Sequence, residues 1–529
     1  MHVHPMVHRV NIPYHLLMSH PENSERNRRE SIGLAFFWLV VLAYGFFVPS
    51  ILSWNTESHL YPAFAAVDHG TMRIDAYEKG LGDKSYWQGH YYTDKAPGLS
   101  FLAIPVYAAM RVAFPKVKAS GFHLYKHIKN YYYIPDSVKF LRYAITYLLV
   151  SLPSAALAVL LWLFLIRLTG NVGWSLAVAA IYALGTIAYV YSIWFFSHQL
   201  CAVLLFASFL LLFYRVRGQP PSRGVLLGAA GAGLLAGYSV ISEYPTIIIA
   251  GLLGLYLLVV ARRKLMTAAA FIIGMLPAAA LNIGYNLASF GKPLANGYNY
   301  VHSLAYHTHV HPVFLGLGSP ASYGIQAPSL NTLYQITLGA YRGLFLINPV
   351  LLLFIPGLYF MWKRRDLRAE WWLCLLVVLL YFLLDASRPP DTNGWSGGSS
   401  VASRHLTPMV PFMIVPIIFG LRSQTYRVAL AVLGAMSIAL MFMTVSSTYL
   451  FPYTDHNPIV NEVFPSFFGG QIEQNWVFLW SANYGLDGFA TLLPFFAVAL
   501  ILIGWMVRLL AAGPKRSATA RPAVPSEVS

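Results

Sequence analysis

The densest run of chemically able residues is "GHYYTDKAPG", Gly89 to Gly98. Asp94 and Lys95 adjoin there, a carboxylate that can take a proton beside an ammonium that can meet an anion. Pro97 restricts Ala96 to extended geometry and Gly98 permits close approach of another chain segment, so the spacing predicts a rigid turn. Glu57, Asp68, Asp75, Glu78, Asp83 and Asp136 lie in the same polar stretch. For most of these the default reading is solvation of a loop.

Four more ionisable residues stand at the ends of apolar runs, where a charge is expensive and marks a functional candidate. Glu243 sits in "YSVISEYPTIII", His198 in "WFFSHQLC", Arg342 in "LGAYRGLFLINPVLL" and Arg404 in "WSGGSSVASRHLTPMVPF". For each alone, a structural ion pair competes equally with a site role. Together they predict a collar of acids and cations at one membrane face. The alternating His302, His307, His309 and His311 in "HSLAYHTHVHP" fit a polar loop better than a metal site, having no carboxylate or cysteine at ligand spacing beside them. Sequence support for ATP, dinucleotide or zincin chemistry is missing: there is no P-loop, no GxGxxG before a helix and no HExxH.

The elements that must position these residues are apolar. Of the 529 residues 57% are hydrophobic and 11% charged, against about 25% charged in an average soluble protein. Apolar runs long enough to cross a hydrocarbon core of about 30 Å recur along the chain. We place spans at roughly 32–53, 140–167, 173–195, 199–214, 224–242, 245–261, 265–284, 333–361, 370–386, 406–421, 428–450 and 487–510. The class is thus all-α and polytopic, with about 12 transmembrane helices. Cys201 and Cys374 both fall inside apolar runs and read as packing residues.

The formal charge of +16 raises nucleic acid as a partner, but the Lys and Arg residues cluster in alternate short connectors. That is the positive-inside pattern, and it makes the basic balance a topology signal. It predicts cytoplasmic termini, a cytoplasmic segment 1–31, one transmembrane domain over 32–511 and a disordered cytoplasmic tail over 512–529. The long polar segments, about 54–139, 285–332, 386–405 and 451–486, then all face the outside, the first being much the longest. Within it "ESHLYPAFAAVDHG" predicts an amphipathic helix ended by Gly70, and "PGLSFLAIPVYAAMRVAF" a helix too short to cross, lying in the interface. The small residues of "GAAGAGLLAG" predict close helix packing.

The order of these segments resembles a family. A first span, a long outer loop with an amphipathic helix, "GHYYTDKAPG" before an interfacial helix, then "KFLRYAITYLLVSLPSAAL" is similar to the membrane-embedded C-type glycosyltransferases (GT-C). The likeness is to bacterial relatives of the protein O-mannosyltransferases and aminoarabinose lipid A transferases. Those carry Lys-Pro-Pro where this chain has Lys95-Ala96-Pro97. "GYNLASFGKPLANGY", "YRGLFLINPVLLL" and "GGSSVASRHLTPMVPF" extend it over about residues 32–420. One departure is that better-studied relatives have Asp-Glu after the first span, where this chain has Thr56-Glu57.

The resemblance implies a GT-C-like fold in the bacterial inner membrane. It also implies transfer of a sugar, with inversion, from a polyprenyl-phosphate donor to a lipid, glycan or protein acceptor of the cell envelope on the extracytoplasmic face. One carboxylate must then accept the acceptor's proton, and cations must meet the departing phosphate. Asp75 and Asp94 are the candidates for base, with Glu57 competing. Lys95, Arg342 and Arg404 are candidates for the phosphate, and Glu243 and His198 for orienting sugar or cations. Tyr91, Tyr92 and Trp395 can stack on sugar rings, although aromatic residues are also ordinary at a membrane interface. The sequence identifies no cofactor, and a divalent cation is left open. The competing class is a transporter or flippase for a lipid-linked or polar substrate, which predicts charges near span midpoints instead of ends. A non-catalytic assembly subunit is a third reading.

Overall fold

Apolar helices build nearly the whole computed structural model, which describes residues 23–49, 53–119, 126–128, 131–133, 136–301, 326–388, 394–448, 450–451, 456–472, 474–481 and 486–512. In chain order they are α1 (Asn23–Phe46), α2 (Trp54–His69), α3 (Gly98–Ala113), α4 (Asp136–Thr146), α5 (Leu152–Thr169), α6 (Val172–Gly185), α7 (Ile187–Ser192), α8 (Ser197–Leu211), α9 (Arg223–Ser242) and α10 (Ile247–Val260). They continue as α11 (Lys264–Phe290), α12 (Leu330–Thr337), α13 (Leu344–Ile347), α14 (Phe354–Trp362), α15 (Arg368–Ala386), α16 (Val410–Ile417), α17 (Gln424–Ser447), α18 (Phe464–Phe468), α19 (Trp476–Ser481) and α20 (Leu493–Ala511). Two antiparallel hairpins, β1 (Ser85–Trp87) with β2 (His90–Tyr92) and β3 (Lys126–Ile128) with β4 (Tyr131–Tyr133), are the sheets among the described residues.

Among the described residues nine helical stretches are long and apolar enough to cross a membrane, from Ser24–Phe46 to Gly488–Ala511. The chain is a polytopic helical membrane protein. Outward faces carry exposed Leu265, Ile272 and Ile273 on α11 and Leu493, Leu500 and Ile501 on α20, which only lipid would cover at low cost. The glycine-rich face of α9 meets α11 backbone to backbone. A Cβ on Gly233 would lie 1.9 Å from the Phe271 carbonyl oxygen, and one on Gly274 2.0 Å from that of Ala230. Cys201 and Cys374 are buried and free.

Three of the twelve expected spans depart from the single long helix that their hydropathy suggests. The run 173–195 is broken between α6 and α7 at Thr186, whose hydroxyl caps α7 by accepting from the Ala188 N–H at 3.2 Å. The run 245–261 is the short helix Tyr244–Val260. The run 333–361 is split into α12, α13 and α14. Pro349 has no N–H to continue a helix, and Asn348 Oδ1 instead accepts from the Ile187 N–H at 3.1 Å, so the two breaks hold one another. Hydropathy is blind to such interruptions because the broken segments stay apolar.

The first long polar segment has a core of its own. Leu60, Phe64 and Ala103 pack with Ile74, Leu81, Leu141 and Phe195, joining α2 and α3 to α4 and to the α7–α8 turn. Gly70 ends α2 in the left-handed region at φ 67°, and α3 is 16 residues long. Asp68 locks their far ends by accepting from Tyr107 Oη at 2.6 Å and Arg111 Nε at 2.9 Å. Burial alone would raise the Asp68 pKa, but the Tyr107 and Arg111 donors outweigh it and hold the carboxyl below its usual range. The loop is therefore a packed platform, fit to hold side chains in fixed positions.

Candidate functional site

The Asp94–Gly98 turn docks on the end of α9. Tyr238 Oη donates to the Gly98 carbonyl at 2.9 Å, and a Cβ on Gly98 would fall 2.4 Å from Ser242 Oγ. From the other side Gly297 presses on Asp94, where an added Cβ would lie 2.7 Å from the Asp94 Cα. Backbone this close is possible only because both positions lack a side chain. The turn is thus wedged between α9 and the segment after α11.

Inside it, Lys95 Nζ lies 2.9 Å from Asp94 Oδ2 and 2.9 Å from Asp83 Oδ2. Asp94 is fully buried, whereas the Asp83 side chain is 23% exposed. Ser58 Oγ, from α2, donates to Asp94 Oδ1 at 3.1 Å and shares a 2.7 Å hydrogen bond with Thr93 Oγ1. Burial pushes the Asp94 pKa up, Lys95 pulls it down, Asp83 pushes it up again, and the net direction is up. The result is an uneven triad, one closed carboxylate and one open carboxylate sharing a single ammonium.

His59 follows Ser58 on α2 and is 1% exposed, with no partner on either ring nitrogen among the described residues. Burial, then the charges of Lys95 and Arg404, depress its pKa to about 3, so the ring is neutral. His59 therefore feels both cations, one in the first loop and one on the 3-10 turn Arg404–Met409 before α16. There Arg404 stacks 5.2 Å over the Phe196 ring, with its Nε buried and unbonded among the described residues. His198 Nε2 lies 3.3 Å from His405 Nδ1 and 3.8 Å from Glu243 Oε2, and Ser197 Oγ donates to Glu243 Oε2 at 2.7 Å. Asp385 accepts from Ser403 Oγ at 2.5 Å and pairs with Arg388 Nε at 3.0 Å. Residues from the ends of α2, α8, α9, α15 and α16 and from the Asp94 turn so form one polar region.

The remaining residues singled out by sequence take other partners. Glu57 is fully buried and pairs with Arg142 Nε at 3.0 Å, Arg142 being 6% exposed. Burial raises the Glu57 pKa and Arg142 opposes it. A cleft beside this pair is lined by Thr56, Lys139, Arg142, Tyr143, Tyr147 and Trp194. Asp75 lies on the hairpin surface, its side chain 43% exposed, accepting from the Tyr91 N–H at 2.6 Å and pairing with His90 Nδ1 at 2.8 Å. Tyr91 lies under the Lys84 ammonium at 4.6 Å, and Tyr92 is buried against Phe290 at 5.2 Å. Arg342 is fully buried, with Nη2 donating to the carbonyls of Gly398 at 3.0 Å and Phe451 at 3.1 Å. Trp395 stands edge-on to Tyr341, 5.8 Å away, so it belongs to the Arg342 cage. His302, His307, His309 and His311 lie outside the described residues.

Several residues of this region escaped the sequence reading. Asp83 was one acid among many, His405 only a neighbour of Arg404, and Ser58 and His59 polar letters on an amphipathic helix. Arg142 carried the best signal, since it begins a long apolar run as Arg404 does.

No family model and no curated protein matches the sequence. Among solved structures, the chain is similar to the oligosaccharyltransferase of Archaeoglobus fulgidus in the apo form, at 14% identity and a TM-score of 0.45 over 80% of this chain and 57% of that one. It is also similar to the archaeal oligosaccharyltransferase AglB from Archaeoglobus fulgidus in complex with an inhibitory peptide and a dolichol-phosphate, at 14% identity and a TM-score of 0.44 over 81% of this chain and 57% of that one. The chain spans little more than half the length of either.

Proposed function

We propose that this protein is an integral membrane glycosyltransferase of the GT-C type. It moves a sugar from a polyprenyl-phosphate donor to a hydroxyl of a lipid, glycan or protein acceptor on the extracytoplasmic face. The observation that carries the reading is the Lys95 ammonium held 2.9 Å from each of Asp83 and Asp94, with the stacked Arg404 as a second cation acting on the same buried His59. The order of segments shared with that family supports it. So does the placement of buried charge: Arg217–Glu370 and Arg388–Asp385 lie at opposite ends of α15. A transport path would need such groups near span midpoints.

In this proposal the acceptor oxygen attacks the anomeric carbon while the bond from that carbon to the phosphate oxygen breaks. The acceptor proton passes to the Asp94 carboxylate, and the phosphate leaves with the bonding electron pair. Lys95 and Arg404 meet the charge that develops on it, a guanidinium fork being suited to two phosphate oxygens. At rest Asp94 is masked by Lys95. Arrival of the phosphate draws the ammonium away, so the carboxylate becomes a free base only when the donor is present. Burial, which raises its pKa, makes it a stronger base once unmasked. Asp83 holds the ammonium between turnovers, Trp395 is left as a stacking surface for sugar, and Arg342 braces the loops that carry it.

The test is transfer of radiolabelled sugar from polyprenyl-phosphate donors by the purified protein, given membrane acceptors. Wild type should transfer from at least one donor, and Asp94→Asn should not do so measurably. Failure with every donor, or undiminished transfer by Asp94→Asn, would overturn the assignment.

A further inference from the structure

We infer that His198, Glu243 and His405 form a binding site for a borderline transition-metal ion of the zinc type. The three come from separate elements: His198 from the first turn of α8, Glu243 from the residue after α9, and His405 from the 3-10 turn Arg404–Met409 that leads into α16. One ligand atom from each lies within 4.8 Å of the other two. The His198 Nε2 to His405 Nδ1 distance is 3.3 Å and the His198 Nε2 to Glu243 Oε2 distance 3.8 Å. Bonds of about 2.0–2.1 Å in a tetrahedral site place neighbouring ligand atoms roughly 3.3–3.5 Å apart, so side-chain shifts on the order of an ångström would close this set on an ion.

Two further observations point the same way. His198 is 2% exposed, and its Nδ1 has no hydrogen-bond partner among the described residues. Two imidazole nitrogens facing one another in a buried setting share at most one proton, a weak reason for folding to bring them there from distant parts of the chain. A dication replaces that single hydrogen bond with two coordinate bonds, one to each nitrogen. Glu243 is already oriented by Ser197 Oγ, the kind of outer donor that fixes a ligating carboxylate.

The ligand set identifies the ion class. Two nitrogens and one carboxylate oxygen suit zinc, cobalt or a similar ion, whereas magnesium and calcium prefer oxygen throughout. Three protein ligands leave a fourth position for water or an anionic oxygen, the pattern of an open site rather than a closed structural one. Bound there, the ion would tie α8, α9 and α16 together beside Arg404. This inference does not require the glycosyl-transfer reading, because metal binding is measurable without any sugar donor.

The experiment uses the full chain in detergent, purified without a polyhistidine tag, stripped with a chelator and dialysed against zinc or cobalt. We expect about one equivalent of zinc by elemental analysis, and intense tetrahedral-type visible bands for the cobalt form. Glu243→Gln and His405→Ala should each abolish that equivalent and those bands. Ser197→Ala keeps all three ligands and should weaken binding by about 10- to 100-fold, giving a readout that does not depend on losing a ligand. A quadruple alanine variant at His302, His307, His309 and His311 should bind as wild type does. Stripped wild type that takes up no metal, or binding that survives Glu243→Gln and His405→Ala but is lost in the quadruple variant, would overturn the proposal.

Discussion

Two buried ion pairs share the first loop platform, and they are built differently. Glu57 and Arg142 close on one another, 0% and 7% exposed as side chains, one acid to one cation across α2 and α4. Asp94 and Lys95 are as deeply set, but Lys95 is shared with Asp83, which is 23% exposed. The first arrangement sets an acid against a cation as a tie between α2 and α4, with Arg142 also lining the cleft at its side. The second has one carboxylate too many and one edge open, so its ammonium has somewhere else to go and its inner carboxylate can be released. Burial alone does not separate structural from reactive charge; a second, partly exposed carboxylate competing for the same cation does. This distinction is why the proposal puts the base at Asp94 and leaves Glu57 to hold the fold.

The two pairs should differ most in activity. Asp94→Asn keeps the shape and removes the base, so transfer should fall by about 100- to 10,000-fold, the usual worth of such a group. Its thermal unfolding should stay near wild type, because the neutral amide no longer needs the cation and Asp83 still holds Lys95. Glu57→Gln should do the reverse. Removing one member of a buried pair leaves the other's charge uncompensated, so Glu57→Gln or Arg142→Met should each cost about 3–5 kcal/mol, while the double variant Glu57→Gln with Arg142→Met should recover much of it. Unfolding followed by tryptophan fluorescence would read this. A double variant no better than the singles would mean that Glu57 and Arg142 do not act as a pair.

Much of the scaffold was legible in the sequence because it rests on local signals. The αL stop at Gly70, the shortness of α3 and the close packing of α9 on α11 each follow from residue types within one segment. The breaks in 173–195 and 333–361 were not legible, since Thr186, Asn348 and Pro349 interrupt helices without lowering hydropathy, and the bond joining the breaks spans 161 residues. The site divides along the same line. Asp94 and Lys95 announce themselves as neighbours before a Pro-Gly turn. Asp83, His59 and His405 gain meaning only from partners distant in sequence. Arg342 met the same criterion as Arg404, an ionisable residue at the edge of an apolar run, and it folds into a cage of carbonyls with Tyr341 and Trp395 that adjoins Arg404 through Gly397 and Gly398. The criterion finds expensive residues; it does not say what they are spent on.

His59 sharpens the comparison by pH. Its folded pKa of about 3 lies below the ordinary histidine value of 6.5, so the unfolded chain binds a proton there that the folded chain refuses. The stability from keeping His59 neutral is complete above about pH 6.5 and is lost as pH falls toward 3, with a slope of up to about 1.4 kcal/mol per pH unit. Asp94 and Glu57, whose pKa values are raised, act with the opposite sign. The difference between wild type and His59→Asn isolates the histidine. Wild type should lose stability relative to the variant between pH 6.5 and 4, and parallel curves would show that His59 already carries a proton in the fold.

The smallest expected effect is at Asp75, and it tests the comparison from outside. Asp75 resembles a candidate base by residue type and by position in the loop. Its two oxygens, however, are occupied at the surface, one by the Tyr91 N–H at 2.6 Å and the other by His90 Nδ1 at 2.8 Å. An acid clamped in this way and 43% exposed is screened by water and contributes about 1 kcal/mol or less. Asp75→Asn keeps an oxygen to accept from the Tyr91 N–H, so the hairpin should hold, unfolding should shift only slightly and transfer should change less than about twofold. Were transfer instead to fall as far as in Asp94→Asn, the base would lie on the open hairpin. Access would then outweigh burial altogether, and the uneven triad at Lys95 would be a second structural tie like Glu57–Arg142.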